Sequence, residues 1–182
     1  MGISIGLLEL KSIPPGIETA DEMLKAANVA LLLCTPICPG KYVIVISGQV
    51  GAVRNAVKAG MQKAGVFLVG HHILDNVHES IPGAVTGTTE VEKVRAIGVI
   101  ETISALASIR AGDIAAKAAN ITLMEIRIAR GLGGKGFLLF TGEVSAVKSA
   151  LDACISGLED TGEIISTSQI ASPHPDLIEH LL

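Results

Sequence analysis

Ile5-Gly6-Leu7-Leu8-Glu9-Leu10 recurs as Ile97-Gly98-Val99-Ile100-Glu101-Thr102, an offset of 92 residues, and this recurrence decides how the chain is read. At the same offset Lys25-Ala26-Ala27-Asn28-Val29 returns as Lys117-Ala118-Ala119-Asn120-Ile121. Further on the offset becomes 94: Lys41 matches Lys135, and Gly48-Gln49-Val50-Gly51-Ala52-Val53 matches Gly142-Glu143-Val144-Ser145-Ala146-Val147. The second copy therefore has two more residues in the intervening loop. A period of this length describes two copies of one domain, not a solenoid of short repeats. The division expected is 1–90 and 91–182, with the Gly- and Thr-rich, charged stretch 83–95 as linker.

Each copy reads as strand, helix, strand, loop, strand, helix, strand. Ile17, Ala20, Leu24 and Ala27 are spaced along one face of a helix that begins after Pro14-Pro15. Val29–Cys34 and Tyr42–Ile46 are β-rich runs. Val53, Val57, Gly60, Met61 and Ala64 give a second helix its apolar face, and Val66-Phe67-Leu68-Val69 supplies the last strand. This β-α-β-β-α-β order predicts two tandem ferredoxin-like α+β domains, each with helices on one face of an antiparallel sheet.

The composition excludes several function classes. The chain has 182 residues, 49% of them hydrophobic and 18% charged, with a mean hydropathy of +0.54. No run approaches the ~18 uninterrupted apolar residues of a membrane span. Met1-Gly2-Ile3-Ser4-Ile5 lacks a basic n-region and a long apolar h-region, which predicts a soluble, cytoplasmic protein. So apolar a chain in two small domains needs further surface to bury, and oligomerisation supplies it. A net charge of −4, with no Trp, one Tyr and three Phe, argues against nucleic acid. Three cysteines in such a chain do not form a disulfide framework.

The cysteines have different surroundings. Cys34 falls inside a strand pattern and reads as a small buried hydrophobe. Cys154 shares a helical face with Val147, Ala150, Leu151 and Leu158 and reads as core. Cys38 lies in Thr35-Pro36-Ile37-Cys38-Pro39-Gly40-Lys41, where Pro39 and Gly40 favour a tight turn with the thiol at its tip. Taken by itself, a loop thiol of this kind is most simply a free one. Arg130-Gly131-Leu132-Gly133-Gly134-Lys135 lacks the spacing and the Ser or Thr of a phosphate loop, and strands flank it on both sides. His71-His72 reads as an exposed loop pair, His78 and His174 as structural or edge residues. No Ser/His/Asp set, pair of catalytic carboxylates or phosphate motif is present, so an enzyme is not expected.

Across nearly its whole length the chain resembles the tandem-domain shell proteins of bacterial microcompartments. The resemblance rests on Ile5-Gly6-Leu7-Leu8-Glu9, on Asp21 through Val29, on Gly48 through Val53, on their second copies, and on Pro173-His174-Pro175. The Ile37–Lys41 loop is similar to that of the iron–sulfur-carrying trimeric members from propanediol-utilisation compartments. The resemblance implies a homotrimer whose six domains form a pseudohexagonal tile, packed edge to edge with other shell proteins. It places Ile37, Cys38, Pro39, Gly40 and Lys41, together with Arg130, Gly131, Leu132, Gly133 and Gly134, at the central pore. It puts Lys25, Asn28, Lys117, Asn120 and His174 at the tile edge. Ser172 stands where the family often has Arg, so edge packing is expected to differ in detail.

A threefold axis turns one Cys38 per chain into three thiolates around a point. Three thiolates can ligate three irons of a 4Fe-4S cluster, the fourth iron taking water, a small ligand or a partner. Lys41 is expected to offset negative charge there, and backbone N–H groups near Gly40 to tune the potential. Zinc with three thiolates and a water is an alternative, and iron is preferred on the resemblance alone. The resulting expectation is a shell tile passing electrons, or a cluster, between an encapsulated or cytoplasmic redox partner and the other side of the shell. The alternatives are a plain metabolite pore without cofactor and, from another class, a small-ligand-binding regulator or enzyme on the same fold.

Overall fold

A computed structural model describes residues 3–128 and 131–181. They form two compact units that divide between Pro82 and Gly83, with 131–134 grouped with the first. The first repeat runs β1 (Ile3–Leu10), α1 (Ile13–Ala26), β2 (Ala30–Ile37), β3 (Lys41–Gly48), α2 (Val50–Ala64) and β4 (Leu68–Val77), and α3 (Ile81–Thr86) straddles the division. The second runs β5 (Ala96–Thr102), α4 (Ala105–Ala118), β6 (Ile121–Ile128), β7 (Gly136–Gly142), α5 (Val144–Leu158), β8 (Ile164–Ile170) and α6 (Pro175–Leu181). The sheets have strand orders β2-β3-β1-β4 and β6-β7-β5-β8, and each pairing is antiparallel. The expected ferredoxin-like arrangement is thus present twice.

The first helix differs from its expected form in where it begins and which face it buries. It starts at Ile13, so that Pro14 and Pro15 lie inside the first turn, where their missing N–H groups have no helical partner to lose. Its buried residues are Gly16, Thr19, Ala20 and Met23, whereas Ile17 is 56% and Leu24 39% exposed. Gly16 is the cause. The ring of Tyr42 lies against the helix there, and a Cβ at residue 16 would stand 2.4 Å from Tyr42 Cδ1. Close approach of the backbone sets this face, not the larger apolar side chains beside it. On α2 the expected face holds, with Ala56 added and Met61 only half-buried.

Other boundaries shift for local reasons. Gly65, at φ 50°, ends α2 in a 3-10 turn over Gly65–Phe67, so β4 begins at Leu68 rather than Val66. β4 then continues to Val77 and takes in His71 and His72, which are exposed strand residues and not a loop. β2 extends through Pro36, and as an edge strand it tolerates a residue that donates no ladder hydrogen bond. The expected linker loses residues 83–86 to α3.

The two cores fill equivalent space with exchanged residues. In the first, fully buried Met23 on α1 lies over Gly60 on α2, where an added Cβ would meet Met23 Cγ at 2.6 Å. The aligned residues in the second are Ala115 and Cys154, with the small residue now on the first helix and the larger on the second. Cys154 is fully buried, as expected. Its thiol donates to the Ala111 carbonyl at 3.2 Å, and burial pushes its pKa up to about 12. Gly16 and Tyr42 exchange likewise for Ser108 and Gly136, where an added Cβ would stand 2.7 Å from Ser108 Oγ. Interiors packed to crystal-like density require such paired changes.

Thr19 is fully buried, and among the described residues nothing partners its hydroxyl. The aligned position in the second copy is Ala111. Thr19→Val keeps the shape and removes an unsatisfied polar group, so it is expected to stabilise the protein by about 1 kcal/mol. Chemical denaturation of the two proteins side by side checks this; an unchanged or lowered midpoint would show that the hydroxyl has a partner in solution.

Candidate functional site

The Cys38 loop is shorter than the sequence suggests. β2 and β3 pair down to Pro36 with Tyr42 and Ile37 with Lys41, which leaves only Cys38, Pro39 and Gly40 as the turn. Gly40 adopts φ 76° and the Cys38–Pro39 peptide is cis. Of the expected pore residues, Ile37 is therefore a buried strand residue and Lys41 opens β3, whereas Pro39 and Gly40 are exposed and Cys38 is half-buried. Three-residue hairpins with a left-handed glycine are a common solution for joining antiparallel strands.

Lys41 does not present a free charge to the turn. Its Nζ lies 2.6 Å from Glu9 Oε1 on the neighbouring strand β1, the two side chains being 35% and 22% exposed. The ammonium expected to offset a cluster's charge is thus engaged by Glu9 within the chain. The second copy repeats the pair, with Lys135 Nζ 3.0 Å from Glu101 Oε1, and Ser166 Oγ donates to the other carboxylate oxygen at 3.2 Å. The hydrogen bond from Lys135 is the main cause holding the Glu101 carboxyl below its ordinary pKa. Sequence reasoning missed these pairs. Both partners recur together in the two repeats, and that is the signal that would have found them.

Beside Lys41, Tyr42 is buried, and its hydroxyl lies 3.1 Å from Cys34 Sγ. Desolvation, helped by that hydrogen bond, pushes the phenol up to about 12. Cys34 is accordingly half-buried and hydrogen-bonded, not simply an apolar filler.

In the longer second loop Gly131, Gly133 and Gly134 have φ of 72°, 63° and 94°, a sequence of left-handed residues that side chains rarely allow. Leu132 is half-buried; Arg130 lies outside the described residues. A Cβ at Gly134 would stand 3.6 Å from the Cys38 carbonyl oxygen, which brings this glycine next to the cysteine turn.

The expected edge residues are at the surface. Lys25 pairs with Asp21 and Lys117 with Asp113, one helical turn back in each copy. The hydrogen bond and charge of Asp21 raise the Lys25 pKa. Asn28 and Asn120 are exposed just beyond α1 and α4. His174 is exposed before α6, and its Nδ1 accepts the Asp176 N–H at 3.3 Å.

Among the described residues no three His, Cys, Asp or Glu side chains of one chain come together to hold a metal ion. No helix among them is long and apolar enough to cross a membrane.

Comparison with known proteins agrees with this architecture. The BMC domain family matches twice, over residues 4–77 and 96–173. The bacterial microcompartment shell protein PduT of Citrobacter freundii is 41% identical over 177 residues, 97% of this chain and 96% of that one. The carboxysome shell protein CsoS1B of Halothiobacillus neapolitanus is 37% identical over 83 residues, 44% of this chain and 76% of that one. The crystal structure of a microcompartment protein from Desulfitobacterium hafniense DCB superposes with a TM-score of 0.96 at 42% identity, covering 98% of this chain and 99% of that one. With two BMC domains in tandem, the chain belongs to the BMC family and is a structural shell protein of a bacterial microcompartment, not an enzyme.

Proposed function

We propose that three chains form a pseudohexagonal tile in which the three Cys38 thiolates hold one 4Fe-4S cluster on the threefold axis. The observation that supports this reading is the placement of Cys38 at the start of a three-residue turn, partly accessible and followed by exposed Pro39 and Gly40. The donor chemistry fits the group, since thiolate is the usual ligand of iron–sulfur iron and a cube held by three of them keeps one iron for another ligand. An added Cβ at Gly40 would meet nothing within 4 Å, so the turn is uncrowded at that residue, and Cys38 is half-buried. One chain supplies a single such thiol, and cyclic symmetry is what multiplies it.

When bound, the cluster would supply one-electron redox chemistry to a wall that otherwise only separates two compartments. Electrons, or the cluster itself, would pass between an encapsulated redox partner and one in the cytoplasm. Residues 1–90 and 91–182 make the alternate sectors of the tile. Lys25, Asn28, Lys117, Asn120 and His174 meet neighbouring shell proteins at its edges, and Ile37, Cys38, Pro39, Gly40 and Lys41, with Arg130, Gly131, Leu132, Gly133 and Gly134, surround the pore.

Iron and acid-labile sulfide in anaerobically purified protein test this reading. One cluster per three chains gives about 1.3 irons and 1.3 sulfides per chain. A value near zero, persisting after reconstitution with iron and sulfide, would leave a passive metabolite pore.

A further inference from the structure

The hairpin that carries Cys38 is held on both faces of its sheet. Lys41 and Tyr42 are consecutive on β3, so their side chains leave opposite faces. Lys41 reaches Glu9 on one face. Tyr42 turns into the helical layer on the other, against Gly16, and its hydroxyl meets Cys34 Sγ at 3.1 Å. Cys34 pairs with Ile44 and Pro36 with Tyr42, which makes Cys34 and Tyr42 diagonal neighbours across the two strands of the hairpin.

The second repeat shows which of these contacts belongs to the cysteine turn. Its hairpin keeps the Glu–Lys pair, as Glu101–Lys135. It has no counterpart of the other contact, because Gly136 stands at the position of Tyr42 and Ile126 at that of Cys34. The register confirms this alignment, as Ile126 pairs with Leu138 in the way Cys34 pairs with Ile44. Packing alone does not require a thiol and a phenol here, since Phe and Val fill the same space without polar atoms. Without Cys34 the buried Tyr42 hydroxyl would lose the partner it has, an arrangement cores avoid.

We infer that Cys34 and Tyr42 are a positioning pair for Cys38: their hydrogen bond ties the two strands together just below the turn and fixes where the Cys38 sulfur points. This rests on the reading of Cys38 as a cluster ligand. Three sulfurs must meet one cluster together, so looseness at the base of the turn acts at all three corners.

Tyr42→Phe removes only the hydroxyl, Cys34→Val removes only the thiol, and Cys34→Ser restores a hydrogen-bonding group. The first readout is amide hydrogen exchange over residues 37–42 in the metal-free protein, which needs no cluster. Loss of one hydrogen bond is expected to speed exchange there about fivefold in Tyr42→Phe and Cys34→Val, with Cys34→Ser near wild type and the second unit unchanged. The second readout is the electron paramagnetic resonance spectrum of the reduced, reconstituted protein. Its g-values are expected to shift or broaden in Tyr42→Phe and Cys34→Val and to return in Cys34→Ser. Equal exchange in all four proteins overturns the tie itself. Faster exchange with spectra identical to wild type makes the pair purely structural and overturns its positioning role. A wild-type protein that takes up no cluster overturns the Cys38 reading and the positioning role with it, while the exchange data still decide whether the tie exists.

Discussion

Cys38→Ser is expected to lose essentially all iron and sulfide, and with them the visible absorption of the anaerobic protein, while it stays trimeric and melts at the temperature of the metal-free wild type. Both halves of this expectation follow from the turn. Serine is nearly isosteric with cysteine, and residue 38 is only half-buried in a connection whose register is set by Ile37–Lys41 and Pro36–Tyr42. Substitution there should cost no more than about 0.5 kcal/mol. A neutral hydroxyl is nevertheless a poor replacement for a thiolate on iron, and the change is made at three corners at once. Cys34→Ser provides the contrast, because it alters a thiol four residues away that is hydrogen-bonded to Tyr42, and it should retain iron. Full iron content in Cys38→Ser would remove Cys38 from the site.

Met23→Ala is expected to destabilise the first unit by about 3 kcal/mol, the usual scale for emptying a fully buried position. Gly60→Cys alone is also expected to destabilise, by about 1–3 kcal/mol, because the new Cβ meets Met23 Cγ at 2.6 Å. Together the two changes rebuild the arrangement that the second unit already uses, Ala115 beneath Cys154. The double variant should therefore be more stable than either single one. A double-mutant cycle by denaturant unfolding measures this coupling. Additive losses would mean that the exchange between the repeats reflects different backbone spacing in the two units and not compensation of volume.

Much of this architecture is legible in the chain because the repeat supplies every signal twice. The succession of strands and helices along the chain and the inward positions of α2 and α5 follow from periodicity, and the two copies support one another. The face of α1 was not legible in that way. Large apolar residues at 17 and 24 attract a periodicity argument, yet Gly16 and Thr19 are buried because a tyrosine ring from β3 needs a helix without a Cβ at its contact point. That contact is long-range, and spacing within the helix holds no trace of it. The start of β4 was missed for a related reason, since Val66 and Phe67 have strand propensity but lie in the turn that Gly65 begins.

At the site, the turn residues around Cys38 could be read from Pro39 and Gly40. The supports beneath them could not, because Glu9, Cys34 and Gly16 come from three other elements. Lys41 is an example: the sequence places it beside a cysteine, while the fold also pairs it with a carboxylate on β1. Membership of the shell-protein family rests on motifs spread through both repeats, which is why it survives these local errors.

Native mass spectrometry of the anaerobically purified protein reads out whether one cluster is shared by three chains. The expected result is a trimer whose mass exceeds that of three chains by a single 4Fe-4S unit, and a Cys38→Ser trimer without that excess. A wild-type trimer at the bare protein mass after reconstitution, or one carrying a separate metal on each chain, would contradict it.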